Sequence, residues 1–100
     1  MSLKIAQSAT YVGDDRWNWS VWIEGDPSEM AGIDFVQYTL HHTFPKPVRK
    51  VENSATNFRL DGSGWGTFLL YAKVVRKDGT SEALQHYLQL YYPSGEPTLA

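Results

Sequence analysis

The sequence predicts an all-β fold, an immunoglobulin-like antiparallel β-sandwich of about seven to eight strands. Three observations carry that expectation. Apolar and polar residues alternate in the longest patterned runs, which marks strands with one buried face. Two such runs are joined at Asp78-Gly79, a strong hairpin signal. No run of helical period exceeds about two turns. The chain has no Cys, so this is a sandwich without the disulfide of antibody domains.

The first clear strand is "RWNWSVWIEG". Trp17, Trp19, Val21 and Ile23 share one face, with Arg16, Asn18, Ser20 and Glu24 on the other. Trp22 joins the polar face as a packed or exposed platform. "GDPSEMAG" then reads as a turn with room for one helical turn from Ser28. "IDFVQYTLHH" sets Val36, Tyr38 and Leu40 on one face, and Pro45 and Pro47 end it because neither can donate to a ladder. "VRKVENSATNFRL" reads as one or two short edge strands around an Asn/Ser turn. Two alternating strands close the pattern, about Thr67 to Lys77 and Ser81 to Tyr92. One domain is expected over 1–93, with a flexible tail over 94–100.

Composition narrows the function classes. The 100 residues suffice for one domain. A net charge of −2 gives no basic excess for nucleic acid. No apolar run reaches the length of a membrane span, and Met1 to Thr10 does not read as a signal peptide. The absence of Cys excludes thiolate metal sites and a Cys nucleophile, and it fits a reducing cytoplasm, the expected location. No catalytic constellation stands out, so no enzyme is expected, and no cofactor. His41 and His42 are adjacent on a strand end and should point opposite ways, which argues against a shared metal. His86 reads as a partly buried polar residue of the last strand. Aromatics reach 14%, with four Trp, six Tyr and four Phe, more than a small core holds easily. Some should serve recognition at the surface.

Two loops carry such rings. "HHTFPKP" holds Phe44, and "DGSGWG" holds Trp65. A sandwich gathers its loops at two ends, so the rings can face each other across a gap. Gly62, Gly64 and Gly66 are expected to take positive φ there and let the backbone approach a ligand. Such a slot suits a flat group, a cation or a sugar ring. An aromatic after a strand can equally cap the open end of the core, and both readings stay open for Phe44 and Trp65.

"LHHTFPKPVRKV", "FRLDGSGWGTFLLYAKV" and "LQHYLQL", in that order after "RWNWSVWIEGDP", resemble the motifs of a YEATS domain, and the brief loops suggest a prokaryotic member. The similarity runs from about Trp17 to Leu90. It implies a non-enzymatic reader of acylated lysine, with acetyl-lysine or crotonyl-lysine held between Phe44 and Trp65. It further implies that Thr43 bonds the amide, that His41 orients Thr43, and that the Trp65 backbone N–H bonds the acyl carbonyl. Gly64 and Gly66 would keep the far end open. The implied partner is an acylated protein or peptide, with no nucleic acid and no membrane. Departures exist: Trp17 replaces the His of the first motif, and "GDDR" lacks the rim aromatic of eukaryotic readers. Two rival classes remain. One is a carbohydrate-binding module with Trp22, Tyr91 and Tyr92 as its platform. The other is a protein-interaction module of a bacterial defence or signalling protein, pairing through an edge strand.

Overall fold

The computed structural model describes residues 3–95. Seven strands form two antiparallel sheets: β1 Lys4–Gly13, β2 Arg16–Glu24, β3 Ile33–Thr39, β4 Val48–Val51, β5 Leu60–Gly64, β6 Phe68–Arg76 and β7 Ser81–Leu88. The sheets run β1-β2-β5 and β4-β3-β6-β7, the two-layer antiparallel sandwich that the alternation predicts. A five-residue helix α1, Pro27–Ala31, sits where one helical turn is expected, capped by Asp26, whose side chain accepts from the Glu29 amide. A 3₁₀ turn, Ser54–Thr56, separates the two edge strands β4 and β5. The part of the expected tail beyond residue 95 lies outside the described residues.

The core follows the period-two pattern. Trp17, Trp19, Val21 and Ile23 of β2 face Val36 and Tyr38 of β3 and Leu70, Ala72 and Val74 of β6, all buried. Phe58 is fully buried although its φ is 59°, and Asn57 before it has φ 56°. Left-handed backbone is uncommon for a bulky residue and persists only where its surroundings fix it. Here the Tyr38 hydroxyl donates to the Phe58 carbonyl at 2.7 Å, and the Phe58 amide donates to the Asn53 carbonyl at 3.0 Å. Burial raises the Tyr38 phenol well above its ordinary pKa, so the hydroxyl stays a donor. Ser20, placed on the polar face by the alternation, is buried all the same: it donates to Asp61 at 2.6 Å and accepts from Arg59 at 3.0 Å.

Strand β1 is the element the alternation does not announce. Its inward positions are Ile5, Gln7, Ala9 and Tyr11, opposite Ile23, Val21, Trp19 and Trp17, and two of the four are small or polar. Gln7 has a specific use there. Its amide donates to the Gln89 carbonyl at 2.8 Å and accepts from the Gln89 amide at 3.0 Å. One side chain thus completes the backbone bonding of a residue just past β7 and joins the two sheets. The same oxygen meets His86 Nε2 at 2.6 Å. That oxygen is an acceptor, so His86 Nε2 carries the proton and donates.

Burial pushes the His86 pKa below its ordinary 6.5. The unfolded chain then binds the proton more readily than the folded one. The stability that neutral His86 gives is complete above 6.5 and is lost as pH falls from there through the depressed folded value. Urea unfolding between neutral pH and the mid-acidic range should therefore show a declining midpoint. His86→Gln, which keeps a donor for Gln7 and removes the titration, should flatten the decline. Equal slopes for both proteins would show that His86 does not cause it.

Candidate functional site

Both aromatic loops lie at one end of the sandwich. The first, residues 40–47, leaves β3 and is closed at its base by the Leu40 amide donating to the Pro47 carbonyl at 2.8 Å. Inside it, the Phe44 amide donates to the His41 carbonyl at 3.0 Å. Arg49 of β4 reaches back to the Lys46 carbonyl at 2.6 Å and the Pro45 carbonyl at 2.9 Å. Two prolines, Lys46 at φ 49° and the Arg49 clamp leave this loop little freedom. The second loop is a tight link from β5 to β6, with Trp65 at its tip.

The two rings have different surroundings. Phe44 is half-buried, edge-on to Trp19 at 6.1 Å between centroids and tilted against Phe68 at 5.2 Å. It therefore does what an end-capping ring does and also presents a surface to the outside. Trp65 is 61% exposed, so capping is not its role. Between the loops lies a cleft of about 530 Å³. All six residues singled out from the sequence line it: His41, Thr43 and Phe44 from one loop, Gly64, Trp65 and Gly66 from the other. Arg16, Pro45, Ser63, Thr67 and Phe68 complete the wall. These five are not singled out by the sequence patterns. Phe68 and Thr67 follow Trp65 directly in "GWGTF", a signal within reach. Arg16 enters only through the pairing of β2 with β5, where Trp17 lies opposite Gly64.

Three expectations are corrected. Gly62 and Gly64 do not take positive φ; they belong to strand β5, and the described glycines at positive φ are Gly13, Gly79 and Gly95. Gly62 is needed for a different reason: a Cβ there would lie 2.4 Å from the Trp19 ring. His41 and His42 do not point opposite ways. β3 ends at Thr39, the strand alternation no longer applies, and the two rings lie 4.2 Å apart at 32°. Among the described residues no group of three or more His, Asp or Glu side chains could hold a metal ion, and no helix is long and apolar enough to cross a membrane. Tyr92 does not join an exposed platform with Trp22 and Tyr91: its ring packs on Tyr11 and Trp17 at 5.5 and 4.9 Å, and its hydroxyl donates to Asp15 at 2.9 Å.

Thr43 is the polar centre of the cleft. Its amide donates to His41 Nδ1 at 3.3 Å, and its hydroxyl oxygen lies 2.9 Å from the same nitrogen. Whichever of the two carries the proton they share, the Thr43 hydroxyl oxygen keeps a lone pair to accept from a third group. A ring pair, an oriented acceptor and a Gly-flanked backbone meet in one cleft on a rigid sandwich.

The chain matches the family described as prokaryotic YEATS domain over residues 17–89. This protein belongs to that family. It is 35% identical over 78 residues to the protein AF-9 homolog of Eremothecium gossypii, covering 73% of this chain and 36% of that protein. It is 32% identical over 71 residues to the Saccharomyces cerevisiae AF-9 homolog, covering 69% of this chain and 30% of the relative. The YEATS-family chain thus spans about a third of the curated relatives it matches. Among solved structures, the Yaf9 YEATS domain recognizing an H3K122suc peptide superposes with a TM-score of 0.73 at 25% identity, over 97% of this chain and 84% of that one. The yeast AF-9 homolog protein Yaf9 gives a TM-score of 0.75 at 25% identity, over 92% and 68%. The Yaf9 YEATS domain bound to H3K27ac shares the fold, with a TM-score of 0.73 over 97% and 79% of the two chains at 23% identity.

Proposed function

We propose that this YEATS-family chain is a non-enzymatic reader that holds the planar acyl-amide of an acylated lysine between Phe44 and Trp65. One observation carries the reading: rings from two loops line the same cleft as a Thr43 hydroxyl held 2.9 Å from His41 Nδ1. The lone pair that His41 leaves on the Thr43 hydroxyl is the acceptor for the amide N–H of the ligand. The Trp65 backbone N–H is the donor for the acyl carbonyl. Lysine acylation removes the charge, so the side chain can leave water for a cleft walled by rings. Its amide still needs both partners, because each one left unpaired costs about 1–3 kcal/mol. Gly64 and Gly66 put no side chain in the path of a longer planar group such as crotonyl. The Yaf9 domain that recognizes an H3K122suc peptide gives the reading its precedent. The partner is then an acylated protein or peptide in a prokaryotic cytoplasm, without nucleic acid or membrane.

The test is an NMR titration with acetyl-, crotonyl- and unmodified-lysine peptides. Saturable shifts at Thr43, Phe44 and Trp65 for the acylated peptides alone are expected. Thr43→Val keeps the shape and removes the acceptor, and should weaken acyl-peptide binding about tenfold. Absence of shifts with every acylated peptide at millimolar concentration would overturn the reading and turn attention to glycans and the edge strands.

A further inference from the structure

We propose that Arg16 selects for a carboxylate on the ligand, supplied either by the end of the acyl chain or by an acidic residue beside the modified lysine. The inference rests on the acyl-lysine reading and adds charge selection to it. Among the described residues Arg16 lines the cleft, and no other Arg or Lys and no Asp or Glu does. The register fixes its place. β2 and β5 pair Trp17 with Gly64 and Asn18 with Ser63. Arg16 and Trp65 are the residues that follow the last pair, Trp17 with Gly64, and both line the cleft.

Arg16 differs from the other arginines in what it does for the fold. Arg49 holds two loop carbonyls, Arg59 pairs with Asp61, and Arg76 pairs with Glu82. Among the described residues Arg16 has no ion-pair partner. Asp15, its sequence neighbour, accepts from the Tyr92 hydroxyl at 2.9 Å. The protein as a whole carries a net charge of −2, so a positive group at the slot is a local feature and not a sample of a basic surface. A guanidinium offers a planar fork of donors that matches a carboxylate, and its flat face can lie against an indole while it does so. An uncharged acyl chain gains nothing from that fork. A chain ending in a carboxylate gains a charge-assisted contact, and an unmodified lysine ammonium meets repulsion. Arg16 thereby adds a second reason for the cleft to refuse unacylated lysine.

The experiment measures Kd by titration for one neutral peptide bearing butyryl-lysine or succinyl-lysine, which match in chain length and differ in the terminal carboxylate. A third peptide bears butyryl-lysine with an Asp on each side. Wild type, Arg16→Gln and Arg16→Lys are compared at low and moderate salt. Exposed charge pairs are weak, so the expected wild-type preference is about three- to fivefold, shrinking with salt. Arg16→Gln should abolish the ratio between the carboxylate-bearing and neutral ligands, and Arg16→Lys should restore part of it. A preference for succinyl-lysine assigns the carboxylate to the acyl chain, and a preference for the Asp-flanked peptide assigns it to the neighbouring residues. Butyryl-lysine binding with no Arg16-dependent gain from either carboxylate would overturn charge selection and leave the reader intact. No binding by any acylated peptide would overturn both.

Discussion

Gly62→Ala is expected to lower the melting temperature by about 10–20 °C, a loss of about 2–3 kcal/mol for a domain of this size. A glycine inside a strand ordinarily gains stability on replacement by alanine, because the unfolded chain loses freedom. Position 62 reverses that sign. The added Cβ would lie 2.4, 2.6 and 2.8 Å from three atoms of the Trp19 ring. Trp19 is 2% exposed and is held between Phe44 and Phe68, so the ring has nowhere to go. Gly13, where a Cβ meets nothing but the φ is 94°, is the contrasting strain without a clash. Thermal unfolding followed by circular dichroism reads the effect. A Gly62→Ala protein that melts within about 2 °C of the parent would show that β5 can shift away from Trp19 at little cost.

Phe44→Ala and Trp65→Ala are expected to abolish acyl-peptide binding alike and to differ sharply in stability. Removing either ring removes one side of the stack, and a drop of at least about thirtyfold in affinity is expected from each. Phe44→Ala also takes a half-buried ring off Trp19 and Phe68, and should destabilise the domain by about 2 kcal/mol. Trp65 is exposed, so Trp65→Ala should leave the unfolding midpoint within about 0.5 kcal/mol of the parent. Peptide titration and urea unfolding on the same two variants separate the effects. If Trp65→Ala kept full affinity, the two-ring slot would be wrong. If it destabilised as much as Phe44→Ala, Trp65 would be a core residue.

The sequence told most where a residue's surroundings are close in the chain. The inward faces of β2, β3 and β6 follow from alternation because each lies against a single apolar layer. β1 escaped because its inward face spends Gln7 on a bond to Gln89, 82 residues away. Phe58 lies in an Asn/Ser turn by its neighbours, yet Tyr38 and Asn53 hold it in the core. The six cleft residues were legible because the two loop motifs stand in a recognisable order. The glycines were read as freedom of the backbone, and Gly62 turned out to be space for a Trp across the sheet. Alternation puts Arg16 on the solvent face, and only the pairing of β2 with β5 brings it to the cleft.

The two aromatic residues of the cleft are attached to the molecule in unlike ways. Phe44 leans on Trp19, which in turn requires Gly62 to be bare. Trp65 stands in solvent at the tip of a short link. A substitution at Phe44 must be matched by repacking at two or three other positions, so that wall tolerates little change. Drift at Trp65 and Arg16 needs no such compensation. New ligand preferences should be easiest to reach by substitutions on that free-standing side, with the aromatic packing beneath left in place.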